Sequence, residues 1–236
     1  MAFSIPARIE GARLTAGLVG LGIAAVPSPR VKSARDRLHD LAAVIERDRL
    51  LRPVAACRVL PFSCTEEEPE RWRIGGRALP GTSLERLAGA TDVAVVFATI
   101  GAAWSDAISA YFQCGDTLGG YLLDEIGVAV LGRWTRRIEA LIRMSARRCG
   151  QRAGSPIEPG HPDLPLTVQP TLAELAECGS VGITLTSGGM LAPVKSISML
   201  IGIGSGLPRW SQAAACRRCP SAAKCRRQGR RSRNGA

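Results

Sequence analysis

Along residues 30–51 (RVKSARDRLHDLAAVIERDRLL), Val31, Leu38, Leu41, Ala42, Val44 and Ile45 fall to one side and the charges to the other. That spacing predicts an amphipathic helix. Residues 58–62 read as a short strand. A turn at Gly75-Gly76 predicts a hairpin leading to Leu79, after which Thr82 or Ser83 is placed to cap a short helix with Glu85 in its first turn. The uninterrupted apolar run 92–99 (DVAVVFAT) predicts a buried strand. It exits at Ile100-Gly101 into a helix beginning near Ala102 that carries Trp104, Ile108 and Tyr111.

Residues 116–144 repeat Leu118, Leu122, Ile126, Val130, Trp134 and Ile138 every four positions, a long helix whose Gly119, Gly120 and Gly127 permit close packing. The Gly/Pro-rich stretch 149–166 (CGQRAGSPIEPGHPDLPL) is expected to be a loop holding His161 and Asp163. A short helix over 170–177 closed by Gly179 comes next. Residues 181–203 then alternate strand, turn at Gly188-Gly189, and strand, with Ile183 and Leu185 turned inward. No repeat is evident. The order of elements indicates an α+β chain rather than a regular alternation.

Composition narrows the class. The 236 residues are 46% hydrophobic but only 4% aromatic, so the core must be aliphatic, with 26 glycines allowing close backbone approach. The formal charge is +11. Eight basic residues and no acidic one fall in 216–236, leaving only +3 on the remaining 215 residues. Nucleic acid is therefore disfavoured as a partner, and the tail reads as a solvated end. The apolar stretch 14–26 is 13 residues long against the ~20 of a membrane span. Its flank is a poor secretory leader. The expectation is a cytoplasmic protein with reduced cysteines.

Candidate chemistry is sparse. Neither a G-x-x-x-x-G-K nor a G-x-G-x-x-G follows strand 92–99, which argues against a phosphate loop. His39, and Cys57 with Cys64, read as ordinary surface and packing residues. The sharpest motif is CRRCPSAAKC, where Cys216, Cys219 and Cys225 supply three thiolates to an iron–sulfur cluster or zinc. A fourth ligand would come from Cys178, Cys149 or Cys114; otherwise the tail simply carries free thiols.

Three segments in this order, ATIGAAWSDAI (98–108), CGDTLGGYLLDEIGVAVLGRW (114–134) and SPIEPGHPDLPLTVQ…GITLTSGGMLAPVKSISMLIGIG (155–204), resemble the reactivation domain of cobalamin-dependent methionine synthase in its short stand-alone relatives. The resemblance covers roughly residues 72–225, and it is most specific at 193–204 taken with the cysteine tail.

It implies an α+β fold, a curved, mostly antiparallel sheet packed with helices. Its parts would be an N-terminal segment 1–70, a core 71–210 and a basic tail 211–236. It also implies binding of S-adenosylmethionine and service to a corrinoid protein or methyltransferase, with cobalamin on the partner and flavodoxin or ferredoxin as electron source.

Carried over residue by residue, Asp116 matches the acidic group holding the adenine amine. Arg152 and the segment with Ser155, Gly160 and His161 match the part holding the methionine carboxylate, which a guanidinium meets bidentately. Asp116 has a second reading as the N-cap of the long helix, and Arg152 and His161 could be ordinary loop residues.

This chain departs from the pattern in three places. Pro156-Ile-Glu-Pro-Gly160-His161 stands for Pro-Gly-Tyr, Leu131 for a glutamate, and Thr186-Ser187-Gly188 for Thr-Glu-Ser. These departures leave two other readings open: an iron–sulfur electron-delivery module, and a scaffold that keeps the fold without the ligand.

Overall fold

The structure is a computed structural model that describes residues 5–11, 17, 20, 24, 32–64, 71–80, 85–161 and 164–207. The cysteine tail, Thr82, Ser83 and Asp163 lie outside the described residues.

The central sheet grows from the apolar run 92–99. Strand β5 (Asp92–Thr99) is buried from Val93 onward because both of its faces are covered. Its even residues, Ala94, Val96 and Ala98, enter one core; Val93, Val95 and Phe97 enter the other. A continuous apolar run is the sequence form of such a two-sided strand. Each fully buried Val or Phe contributes roughly 1.5–3 kcal/mol.

Around β5, the strands β1 (Arg8–Glu10), β2 (Val54–Cys64), β3 (Arg71–Ile74), β4 (Arg77–Pro80), β6 (Arg152–Ile157) and β9 (Ser196–Gly204) pair antiparallel throughout. Their order is β4-β3-β2-β5-β9-β6, with β1 added to β2, and the sheet is open. The hairpin β3–β4 turns at Gly75-Gly76, both at positive φ, as its sequence predicts.

On one face lie α1 (Lys32–Arg47), α2 (Ala102–Gln113) and α3 (Thr117–Arg148), burying Leu38, Leu41, Ile45, Trp104, Ile126, Trp134 and Ile138. The other face is covered by α4 (Gln169–Ala176), the turns after it and a short hairpin, β7 (Thr184–Leu185) with β8 (Leu191–Ala192). Among the described residues no helix is long and apolar enough to cross a membrane.

Four sequence expectations need correction. The strand expected over 58–62 is eleven residues long, because β2 pairs with β5 along 54–61 and with β3 beyond. Leu118 is 46% exposed. A four-residue repeat advances about 40° around the helix at each step, so the whole series cannot face the core. Helix α4 ends at Ala176 and is capped not by Gly179 but by Glu177, which takes the left-handed conformation itself (φ 53°), and a 3-10 turn follows over Cys178–Val181. The loop expected over 149–166 contains β6, an edge strand whose pairing with β9 comes from across the chain.

Candidate ligand site at the sheet edge

The resemblance points to residues 152–161, and the fold makes this segment the last strand of the sheet and the loop beyond it. Arg152 is exposed at the start of β6, opposite Gly204. The register with β9 slips between Ala153 and Pro156, so Gly154 and Ser155 form an irregularity in which Ser155 is buried at 7% exposure. Bulges of this kind re-aim side chains at a sheet edge. Past Ile157 the chain turns back on itself: the His161 amide donates to the Glu158 carbonyl at 3.1 Å, and the Gly160 amide to Leu164 at 2.8 Å. Gly160 has φ 93°, and nothing lies within 4 Å of where a Cβ would sit. The loop therefore presents open backbone at that point.

A second segment reaches the same place, and it carries the residue that local sequence reading passes over. The 3-10 turn Glu85–Leu87 crosses the end of β9, where glycines let two backbones touch. A Cβ on Gly202 would stand 2.7 Å from the Leu87 side chain, and one on Gly204 only 2.4 Å from the Gly89 carbonyl oxygen. The pattern IGIG at 201–204 is the only signal that something must pass over this strand. From that turn Arg86 extends to the loop, with Nη1 3.5 Å from the Pro156 carbonyl oxygen and Nη2 3.3 Å from His161 Nε2.

Asp116 is elsewhere. It caps α3, accepting from the Gly119 amide at 2.8 Å, and pairs with Arg37 of α1, whose guanidinium also lies over the Tyr111 ring. The Gly119 amide first, and then Arg37, hold its carboxyl below the usual carboxylate range. Asp116 and Arg152 flank opposite ends of a 32-residue helix. At 1.5 Å per residue that helix is about 48 Å long, more than one small ligand can span. Arg152, Ser155, Gly160 and His161 thus belong to one local segment, and Asp116 does not. Leu131 packs against the helical core, and Ser187 sits exposed in the β7–β8 turn.

A separate buried cation lies between sheet and helices. The Lys195 ammonium, its side chain 9% exposed, pairs with Asp124 of α3 at 2.7 Å, while the Lys195 carbonyl accepts from Thr99 Oγ1 and the Ile100 amide. It ties β9 to α3 rather than facing solvent.

The thiols differ in chemistry. Burial pushes Cys57 up to about 12 and raises Cys178, whose S–H donates to the Ile183 carbonyl. Neither is a ready thiolate. Cys114 lies at the Asp116 end of α3, whereas Cys149 caps its other end. Cys149 is three residues before Arg152, whose strand partner Gly204 lies just ahead of Leu207, where the described chain stops. Among the described residues no group of three His, Cys, Asp or Glu is placed to hold a metal ion.

No family model matches the chain, and no curated protein does. Among solved structures it is similar to the crystal structure of the MetH reactivation domain bound to AdoHcy, with a TM-score of 0.64 over 86% of this chain and 80% of that one, at 13% identity. The likeness seen in the three sequence segments thus holds for the backbone as a whole, and the chain has the fold of the MetH reactivation domain.

Proposed function

We propose that this chain binds S-adenosylmethionine at the β6 edge and acts as the reactivation component of a cobalamin-dependent methyltransferase. The observation that carries this reading is the segment 152–161, set on the edge strand and following loop of a fold shared with a domain bound to AdoHcy. Bound there, S-adenosylmethionine would give its methyl group to a cob(II) corrinoid carried by a partner protein, in a step that also takes one electron from a flavodoxin- or ferredoxin-type reductant and leaves S-adenosylhomocysteine.

The residues present suit the ligand's amino-acid end. Arg152 offers a planar guanidinium to a carboxylate, the Gly154-Ser155 irregularity offers backbone groups released from the ladder, and Gly160 keeps side-chain bulk away. Asp116 has no part in this contact; an adenine amine held near β6 would need another acceptor.

Calorimetric titration with S-adenosylmethionine and S-adenosylhomocysteine tests the reading. Saturable heat that Arg152→Ala weakens by about tenfold, the loss of one charged hydrogen-bonded pair, is the expected outcome. No heat at millimolar ligand would overturn it.

A second reading adds a metal centre, favoured by the position of Cys149. Cys216 comes nine positions after Leu207, a reach of about 30 Å when extended. Cys149 would therefore join Cys216, Cys219 and Cys225 as fourth thiolate. Anaerobic purification should give a brown, iron-containing protein, or a zinc-containing one, whose metal content falls in Cys149→Ser and not in Cys114→Ser. A metal-free preparation would remove this reading and leave the first intact.

A further inference from the structure

Where β6 leaves the sheet, a buried amide ties three segments that are distant in sequence. The last pair of the β6–β9 ladder is Ile157 with Leu200. Ser198 lies two positions before Leu200, past the end of that ladder, and turns its side chain to the same face of β9. There its hydroxyl donates to Gln169 Oε1 at 2.8 Å, and Gln169 Nε2 donates to the Gly189 carbonyl at 2.5 Å. Gln169 is 4% exposed and Ser198 5%.

The chemistry of the partners fixes the orientation of this amide. A carbonyl only accepts, so the amide nitrogen must face Gly189; Oε1 is then left to Ser198, whose hydroxyl must donate. The β7–β8 turn closes on itself through the Gly189 amide to the Thr186 carbonyl, the Thr186 amide to the Met190 carbonyl, and the Met190 amide to Thr186 Oγ1. The Gln169 bond is what reaches from α4 to this turn. Gln169 also opens α4, five residues after the buried Leu164, whose carbonyl accepts from the Gly160 amide. One side chain therefore joins the turn 186–190, strand β9 and the outgoing end of the 156–161 loop.

We propose that Gln169 is a positioning residue for the β6-edge site, holding the 186–190 turn beside the 156–161 loop as the second wall against which an S-adenosyl ligand binds. This rests on the function proposed above. Thr186, Ser187 and Gly188 are exposed, as a wall facing a ligand requires.

The chain has four methionines. Met190, 60% exposed beside Gly189, reports on the turn, and Met144 on α3 is the control. Methyl proton–carbon spectra of the full chain, recorded during titration with S-adenosylhomocysteine, test both the turn and the ligand. In the unmodified protein the ligand should shift the Met190 methyl. Gln169→Leu, which removes both hydrogen bonds at similar volume, should move the Met190 signal without ligand, leave Met144 in place and weaken S-adenosylhomocysteine about tenfold. Ser198→Ala should give a smaller loss and add nothing in the Gln169→Leu background, because it acts through the same amide.

Binding without a shift at Met190 overturns the proposal. So does an unmoved Met190 signal or full affinity in Gln169→Leu, or additive losses in the double variant. Should Gln169→Leu not fold, Ser198→Ala stands in, and parent-like spectra with parent-like affinity there refute the proposal. If the unmodified protein binds neither S-adenosyl compound, the functional reading itself falls, and this proposal with it.

Discussion

Asp116 is a residue whose chemistry is spent locally. One carboxylate oxygen caps Gly119 and the other meets Arg37, so the group closes a helix end and ties α1 to α3. Because its folded pKa lies below the ordinary 3.8, its contribution is present above that value and is lost as pH falls through the depressed folded value. Thermal unfolding from neutral pH into the acid range should show the Asp116→Asn variant, which keeps an acceptor for the cap, losing less stability on acidification than the parent. Asp116→Ala should melt lowest at neutral pH. If neither substitution weakens S-adenosylhomocysteine, the cap is the residue's full role. Sequence alone held the cap and the ligand reading side by side, since both need a carboxylate before a helical run.

At the scale of elements, close packing is set where glycines meet aromatic rings. Trp104 donates from its indole to the Leu123 carbonyl at 3.1 Å, and a Cβ on Gly127 would stand 2.5 Å from that same nitrogen. The indole is fully buried and cannot swing aside. Gly127→Ala should therefore cost about 1–3 kcal/mol by overpacking, despite alanine's better helix propensity, as read by denaturant unfolding. Gly132 makes the contrast. A Cβ there would have as its nearest neighbour only the flexible end of Arg136, at 3.7 Å. Gly132→Ala should be neutral or stabilising by up to about 1 kcal/mol.

Across the whole molecule, the Lys195–Asp124 pair joins the sheet to α3. Asp124→Ala leaves an ammonium with little water and no counter-charge and should destabilise by about 1–3 kcal/mol. Lys195→Met, which replaces the buried charge with an apolar chain of similar length, should cost less; the reverse order in chemical unfolding would refute a buried-charge penalty. The sequence by itself determined the two-sided strand at 92–99, the helices at 32–47, 102–113 and 117–148, and the turn at Gly75-Gly76. Each of these is written in local periodicity or in a residue that tolerates positive φ. Only the tertiary structure decided that a Gly/Pro-rich stretch becomes the edge strand β6, because its hydrogen-bond partners are supplied by β9 nearly fifty residues later. It alone set Asp116 and Arg152 beyond opposite ends of a helix about 48 Å long, and brought Arg86 onto His161 from 75 positions away. Periodicity reports which way a side chain faces on its own element; which distant chain arrives opposite it depends on pairing and crossing that no local pattern encodes.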